Sequence, residues 1–249
     1  FSQTIQDTEL HKRLLEASLQ TMHTMTTKTF QPYETELLEH LEQKPQTNTS
    51  PDMEGKTLST LLTPLTPIRD ETPIIGIDVS GIKIGETETG ILCAVRGAIV
   101  GNLNRHYRYL RIGPFPFHLT EENKRELFSH LEGRPFPEIS VPLTSLSEAI
   151  GRLCNQVERW IQTSISYSTN GSIILWDGSM TTGAPGNTFE EVSYILKTAR
   201  KQGNSVLAFT KVTTIRFLGW RITDMVENRE APCLFEVEDL PLSISKNAR

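Results

Sequence analysis

The chain has 249 residues, of which 37 % are apolar and 22 % charged, with a formal net charge of −5 and a pI near 5.7. These values are typical of a globular protein with room for one sizeable domain and an appendage, and they exclude the strongly basic composition that marks many nucleic-acid-binding proteins. An acidic chain can still carry a local basic groove. No apolar run reaches the roughly 20 residues of a transmembrane helix, and no signal-peptide pattern is present at the start.

Residues 1–70 are predicted to form a helical arm and a linker. Helical spacing from Asp7 to about Met25 places leucines on one side, and Tyr33–Leu41 repeats that pattern over a shorter stretch. Residues 43–57 are rich in Pro, Thr, Asn and Ser, which is typical of a loop. We therefore expect two parts, an arm with its linker over 1–70 and a larger domain over 71–249.

The larger domain opens with three predicted strands, Ile74–Asp78, Gly90–Val100 and His106–Ile112. Short polar or Gly-containing breaks separate them, which favours an antiparallel meander. The Gly-Pro-Phe-Pro-Phe sequence at 113–117 is expected to end this meander, because proline rarely continues a central strand.

After a short charged helix at 121–132, residues 145–164 form the clearest predicted helix of the chain, with apolar residues at i, i+3, i+4 and i+7. A strand at 172–176, a helix at 189–202 and a strand at 205–209 follow. This βββαβαβ order resembles the ribonuclease H-like fold, an α/β architecture with a mixed five-stranded sheet flanked by helices. In that fold the first and fourth strands are adjacent and parallel.

Two of the predicted strands end in an aspartate, Asp78 and Asp177. A charged residue rarely finishes a buried strand unless it is paired or holds a metal. Two such carboxylates side by side would suit a hard divalent cation, Mn²⁺ or Mg²⁺, of the kind that assists phosphodiester hydrolysis. The alternative is that both are turn residues, since Asp-Gly is a common turn sequence.

A third carboxylate is expected from the helix at 145–164, which offers Glu148 and Glu158. At 100° per residue, Glu158 lies beside the apolar stripe whereas Glu148 lies nearly opposite it, so Glu158 is the favoured ligand. Lys211 directly follows the last predicted strand and could contact a phosphate as a point charge. Both residues could equally be ordinary surface charges, and Asp224 and Glu227 are weaker candidates for a further ligand.

Other site chemistries find less support in the sequence. The three cysteines form no CxxC pair and are expected to be small buried residues of a protein in the reducing cytoplasm. The six histidines show no HxH or HxxxH spacing, which disfavours a zinc site. Arg105, Tyr107, Tyr109 and Arg111 alternate along one predicted strand, a pattern that suits single-stranded nucleic acid or, equally, a half-exposed strand.

Three segments, 75–80, 174–180 and 208–211, resemble the NurA nuclease family. That family has an early strand ending in Asp-Gly-Ser, a second apolar strand ending in Asp-Gly-Ser-Leu, and a later apolar strand ending in Ser-Lys or a similar pair. The resemblance covers about residues 73–218. It implies that Asp78, Glu158 and Asp177 bind Mn²⁺ or Mg²⁺ and that Lys211 is the strand-end lysine.

The resemblance also implies a function. NurA proteins are Mn²⁺-dependent DNA nucleases that form homodimers and work with the hexameric translocase HerA in DNA end resection. A 5′–3′ exonuclease of the cytoplasm, without membrane association, is therefore expected. Val79 stands where the family usually has glycine, and no tyrosine or histidine follows Tyr194. These departures keep a second interpretation open, a catalytically inactive scaffold subunit. A sugar-kinase-like ATPase shares the core fold but would need a second domain and Gly-rich phosphate loops.

Overall fold

A computed structural model describes residues 8–25, 29–33, 63–67, 70–132, 145–178, 180, 188–209, 215–217, 220–221, 232–234 and 242–244. They fall into two compact units, the first within residues 1–34 and 71–209 and the second within 35–70 and 210–249. In chain order the elements are α1 (Thr8–His23), β1 (Phe30–Pro32), β2 (Thr63–Pro64), β3 (Ile74–Thr87), β4 (Gly90–Leu103), β5 (His106–Thr120), α2 (Lys124–Glu132), α3 (Leu146–Ser168), β6 (Ile173–Asp177), α4 (Phe189–Lys201), β7 (Ser205–Phe209), β8 (Ile215–Phe217), β9 (Trp220–Arg221), β10 (Cys233–Leu234) and β11 (Leu242–Ile244).

The first unit is built on one mixed sheet with the strand order β5-β4-β3-β6-β7. The β3–β4 and β4–β5 pairs are antiparallel, whereas β3–β6 and β6–β7 are parallel. The short strand β1 adds to the far end of β3. The fold class is therefore α/β with a mixed, mostly antiparallel sheet flanked by helices, and the expected adjacency of the first and fourth predicted strands is confirmed.

The meander is longer than predicted, because β5 continues through both prolines to Thr120. Pro116 pairs with Ala94 and Phe115 with Val95, so the expectation that residues 113–117 end the meander is wrong. The physical reason is that β5 is an edge strand of this sheet. An edge strand can accommodate a proline because the missing N–H can face away from the ladder.

Helix α3 lies close against the sheet because two glycines face it. A Cβ atom at Gly81 would sit 2.6 Å from Cys154 Sγ, and one at Gly97 would sit 2.5 Å from Ile161 Cδ1. Both distances are too short for real atoms, so any larger residue would push the helix away. The Ser145 side chain caps the helix by accepting a hydrogen bond from the Glu148 backbone N–H.

One hydrophobic core lies between this face of the sheet and the helices. Its largest fully buried side chains include Trp176 of β6, Phe117 of β5 and Phe128 of α2. Helix α1 contributes the fully buried Leu14 and also Ser18, whose Oγ donates a hydrogen bond to the Pro116 carbonyl oxygen at 2.6 Å. The helix predicted near the N-terminus is thus present and packs on β5 within the first unit.

The opposite face of the main sheet is exposed at many positions, and we call it the open face. By strand alternation and pairing, it contains Gly76, Asp78, Ala98, Val100, Tyr107, Tyr109, Arg111, Leu175, Asp177, Leu207 and Phe209. Several of its apolar side chains, including Val100, Leu207 and Phe209, are exposed. The sheet therefore has a core face and an open face, and Asp78 within β3 and Asp177 at the end of β6 both lie on the open one.

In the second unit, the residues that the structure describes form short strands. Strands β2 and β10 pair antiparallel, and β8 pairs antiparallel with both β9 and β11. Strand β10 covers Cys233–Leu234. Among the helices of the described residues, none combines the length and apolar character needed to cross a membrane.

Candidate functional site

Asp78 and Asp177 lie side by side at the centre of the open face. The parallel pairing of β3 with β6 aligns Ile77 with Trp176, so the residue that follows each of them occupies the same level of the sheet. Adjacent strands are about 4.8 Å apart, which brings the two carboxylates to neighbouring positions. Both side chains are exposed. The prediction that Asp78 and Asp177 become neighbours is confirmed, whereas the prediction that the first strand ends at Asp78 is wrong, because the pairing with β4 carries β3 on to Thr87.

The backbone beyond Asp177 is held in place by one hydrogen bond and one glycine. Gly178 N–H donates to the Phe209 carbonyl oxygen at 2.8 Å, which extends the β6–β7 pairing past the aspartate. Gly178 also has a φ of 130°, a value that residues with a side chain rarely adopt. The chain therefore turns away immediately after the carboxylate and leaves it accessible.

A shallow cleft of about 280 Å³ lies at the two aspartates. Small residues form its floor next to Asp78, with Gly76 on the same strand and Ala98 directly across on β4. Phe209, which pairs with Asp177, forms the opposite wall. A ligand of the size of a phosphate group can therefore approach both carboxylates from the open face.

Glu158 of α3 lies on the core side of the sheet, and together with the two aspartates of the open face it makes up what we call the acidic group. Burial raises the pKa of Glu158, and the negative charges of Asp78 and Asp177 raise it further, while Arg159 and a hydrogen bond from Gln162 act in the opposite direction. The charges of the three acids expected from the sequence therefore interact, although Asp78 and Asp177 lie on the open face and Glu158 on the core side. Glu148 lies ten residues earlier on the helix, about 15 Å back along its axis.

Gln162 orients the Glu158 carboxylate. Its side-chain Nε2 donates to Glu158 Oε1 at 2.8 Å, and its Oε1 accepts a hydrogen bond from Arg159 Nη1. The Gln162 side chain is fully buried, so both contacts are shielded from water. Sequence reasoning did not identify this residue, although its position four residues after Glu158 on one helical face was a usable signal.

Arg159 is the cation closest in sequence to the acids and lies against β6. Its guanidinium sits 5.6 Å from the centre of the Trp176 ring, and burial lowers its pKa. Its Nε is buried and makes no hydrogen bond within the described residues. Arg159 therefore offsets part of the negative charge around Glu158 from the core side of the sheet.

Carboxylate oxygens are the donors that Mg²⁺ and Mn²⁺ prefer, and the repulsion among these three acids is what a bound cation would relieve. The chemistry of the donor set therefore fits a hard divalent cation. Within the part of the chain that the structure describes, no three His, Cys, Asp or Glu side chains are arranged as a formed metal site. The group is thus two neighbouring aspartates with a third carboxylate close enough for its charge to interact with theirs.

Cys93 and Cys154 are free thiols, the first buried and the second half-buried. Burial raises the pKa of Cys93 to about 12, and burial together with the Glu158 charge raises that of Cys154 to about 11. Cys93 is the small buried residue that was predicted, whereas Cys154 is partly accessible. Lys211, Asp224 and Glu227, the other predicted site residues, lie outside the described residues.

No family model, curated protein or solved structure matches this chain. The functional assignment therefore depends on the residues and their geometry.

Proposed function

We propose that this protein is a divalent-metal-dependent nuclease that hydrolyses phosphodiester bonds in DNA. The observation that carries the proposal is the side-by-side placement of Asp78 and Asp177, with the Glu158 carboxylate close enough for their charges to raise its pKa. Carboxylates grouped in this way at an accessible surface are the usual protein contribution to metal-assisted phosphodiester cleavage.

The arrangement of strands supports a ribonuclease H-like core as part of the same proposal. Three antiparallel strands are followed by two parallel ones in the order β5-β4-β3-β6-β7, and helices α3 and α4 connect the parallel strands. In this topology the first and fourth strands of the core carry the acids, as Asp78 and Asp177 are carried here. We infer membership in a NurA-like group from this topology and from the three sequence segments named above.

In the proposed site, Asp78 and Asp177 would hold Mn²⁺ or Mg²⁺ from the open face, with Glu158 as the third ligand expected from the sequence, and Gln162 would fix the orientation of the Glu158 carboxylate. The ion would supply an activated water molecule and stabilise charge on the phosphate. Lys211 would bind the scissile phosphate. Action on DNA ends with a HerA-type hexameric translocase, homodimer formation and a cytoplasmic location belong to the proposal through the resemblance.

The second candidate is a catalytically inactive scaffold subunit that binds a motor or nucleic acid. It is favoured by the sequence departures from the NurA pattern, namely Val79 and the absence of tyrosine and histidine after Tyr194. The same fold and the same acidic group would then have a structural or binding role only.

Cleavage of labelled single- and double-stranded DNA tests the proposal. The assay compares Mn²⁺, Mg²⁺ and EDTA, and it compares the wild type with Asp177→Asn and with Glu9→Gln, which removes an exposed carboxylate from α1. We expect metal-dependent cutting that Asp177→Asn abolishes and Glu9→Gln leaves intact. Absence of cutting by the wild type, even with a HerA-type partner present, would favour the scaffold.

A further inference from the structure

One stretch of the main sheet carries basic residues and no acidic ones. Between Thr89 and Thr120 the chain has four arginines, two histidines and no aspartate or glutamate. This stretch therefore carries a formal charge of +4 in a protein whose net charge is −5. Such segregation creates a local surface that attracts anions.

The charge lies on the β4–β5 hairpin, whose residues 98–111 we call the basic ribbon. A two-residue turn at Asn104 and Arg105, both with positive φ, connects its strands. Every residue from Leu103 to Leu110 is exposed, so this end of the hairpin extends beyond the covering helices. Arg105, Arg108 and Arg111 are thus accessible together.

Two aromatic rings lie on the open face with Arg111, whereas Arg108 alternates with them and points to the other face. Tyr107 and Tyr109 are 73 % and 72 % exposed, the highest values among the large apolar and aromatic side chains described. They are two residues apart on one strand, which separates them by roughly 7 Å. The Arg111 guanidinium lies 5.7 Å from the centre of the Tyr109 ring, so charge and ring form one continuous surface.

The strand register connects this surface to the acidic pair. Arg111 pairs with Ala98, and Ala98 pairs with Asp78, so the three residues form one row across the sheet. Two strand spacings separate Arg111 from Asp78, a distance of about 10 Å. The small Ala98 side chain between them leaves the path along the open face unobstructed.

We propose that the basic ribbon binds an unpaired stretch of nucleic-acid strand, with bases stacked on Tyr107 and Tyr109 and a backbone phosphate at Arg111. Arginine charge alone would bind any polyanion, including a duplex. The exposed rings select an unpaired strand, because only unpaired bases offer their faces for stacking. The inference deepens the proposed function, on which it rests for the identity of the polymer, and it assigns the ribbon to binding and positioning.

The test is equilibrium binding of a fluorescent oligothymidylate of about 15 nucleotides to the full chain, in EDTA so that no cleavage occurs. Tyr107→Ala or Tyr109→Ala, which each remove one stacking ring, should weaken binding roughly tenfold. The double variant Tyr107→Ala/Tyr109→Ala should weaken it roughly a hundredfold. The double variant Tyr107→Phe/Tyr109→Phe keeps both rings and should bind nearly as the wild type does. Tyr194→Ala removes an exposed ring from α4 and should have no effect.

Arg111→Gln provides a second readout. It should lower the slope of log affinity against log salt concentration by about 0.7, the value expected for one phosphate contact on a single strand. Circular dichroism melting of each variant verifies that it is folded.

The outcomes separate this inference from the proposed function. Weak binding by the alanine pair with normal binding by the phenylalanine pair supports the ribbon, whether or not the protein cleaves DNA. Equal binding by the wild type and the alanine pair overturns it, even if Mn²⁺-dependent cleavage is found. Equal loss of duplex and single-strand binding, or a change in oligomeric mass without a change in binding, also overturns it.

Discussion

Gln162 Nε2 donates a hydrogen bond to Glu158 Oε1 at 2.8 Å, one helical turn apart on α3. Because Gln162 is fully buried and also accepts a hydrogen bond from Arg159, its amide can adopt only one useful orientation. The hydrogen bond favours the ionised form of Glu158, against the burial and the two aspartates that favour the protonated form. The charge state of the acidic group therefore depends on a residue that does not belong to it.

Substitution of Gln162 should disturb the site without removing a carboxylate. In Gln162→Leu the Glu158 pKa should rise further, because the hydrogen bond that lowers it is lost. We expect the pH profile of cleavage to move to higher pH, Mn²⁺ affinity to fall roughly tenfold to a hundredfold, and the free energy of unfolding to fall by about 1–3 kcal/mol. Thr163→Val, which removes a neighbouring hydroxyl from α3, is the control and should leave the pH profile in place.

The raised pKa of Glu158 also predicts how stability depends on pH. Below the ordinary value of 4.5 the group is protonated in both the folded and the unfolded protein. As pH rises above 4.5, Glu158 loses its proton in the unfolded chain before it does in the folded protein. The free energy of unfolding therefore falls with pH until the pH passes the raised pKa of Glu158 in the folded protein. Urea unfolding of the wild type and Glu158→Gln across this range measures the effect. The variant should become relatively more stable as pH rises, and parallel curves would contradict the prediction.

Divalent metal should stabilise the folded protein if the three acids bind it. Ligand binding to the native state alone raises the free energy of unfolding by about 2.7 kcal/mol at a hundred times the dissociation constant. We expect Mn²⁺ to raise the melting temperature of the wild type and of Glu9→Gln. The double variant Asp78→Asn/Asp177→Asn should show no such rise. An equal rise in the melting temperature of that variant would show that Mn²⁺ binds at a site other than these acids.

We expect substitutions of Gly97 and Gly151 to change the free energy of unfolding in opposite directions, because Gly97 faces α3 across a close contact and Gly151 does not. Gly97→Val should lower the free energy of unfolding by about 1–3 kcal/mol, because its side chain would collide with Ile161. Gly151→Ala should raise it by roughly 0.5–1 kcal/mol, since no atom lies within 4 Å of the added Cβ and glycine is unfavourable inside a helix. Denaturant unfolding of both variants provides the comparison.

The order of elements and the candidate acids could be predicted from local patterns in the sequence. The apolar stripe of α3, the apolar runs that end in Asp78 and Asp177, and the position of Glu158 beside that stripe are all periodic features. Such features require no knowledge of distant contacts. The length of β5 could not be predicted in this way, because the tolerance of proline depends on whether a strand lies at the edge of the sheet.

The sequence by itself therefore determined the order of strands and helices and the two apolar runs that lead into Asp78 and Asp177, but not how far β3 and β5 continue. The tertiary structure alone decided that Gln162 holds Glu158, that Ala98 leaves a clear path from Asp78 to Arg111, and that Tyr107 and Tyr109 are exposed on the face that carries the acids. The physical reason is the range of the interactions. Periodicity and capping act over a few residues, whereas strand register and the choice of the covered face depend on contacts between segments far apart in the chain.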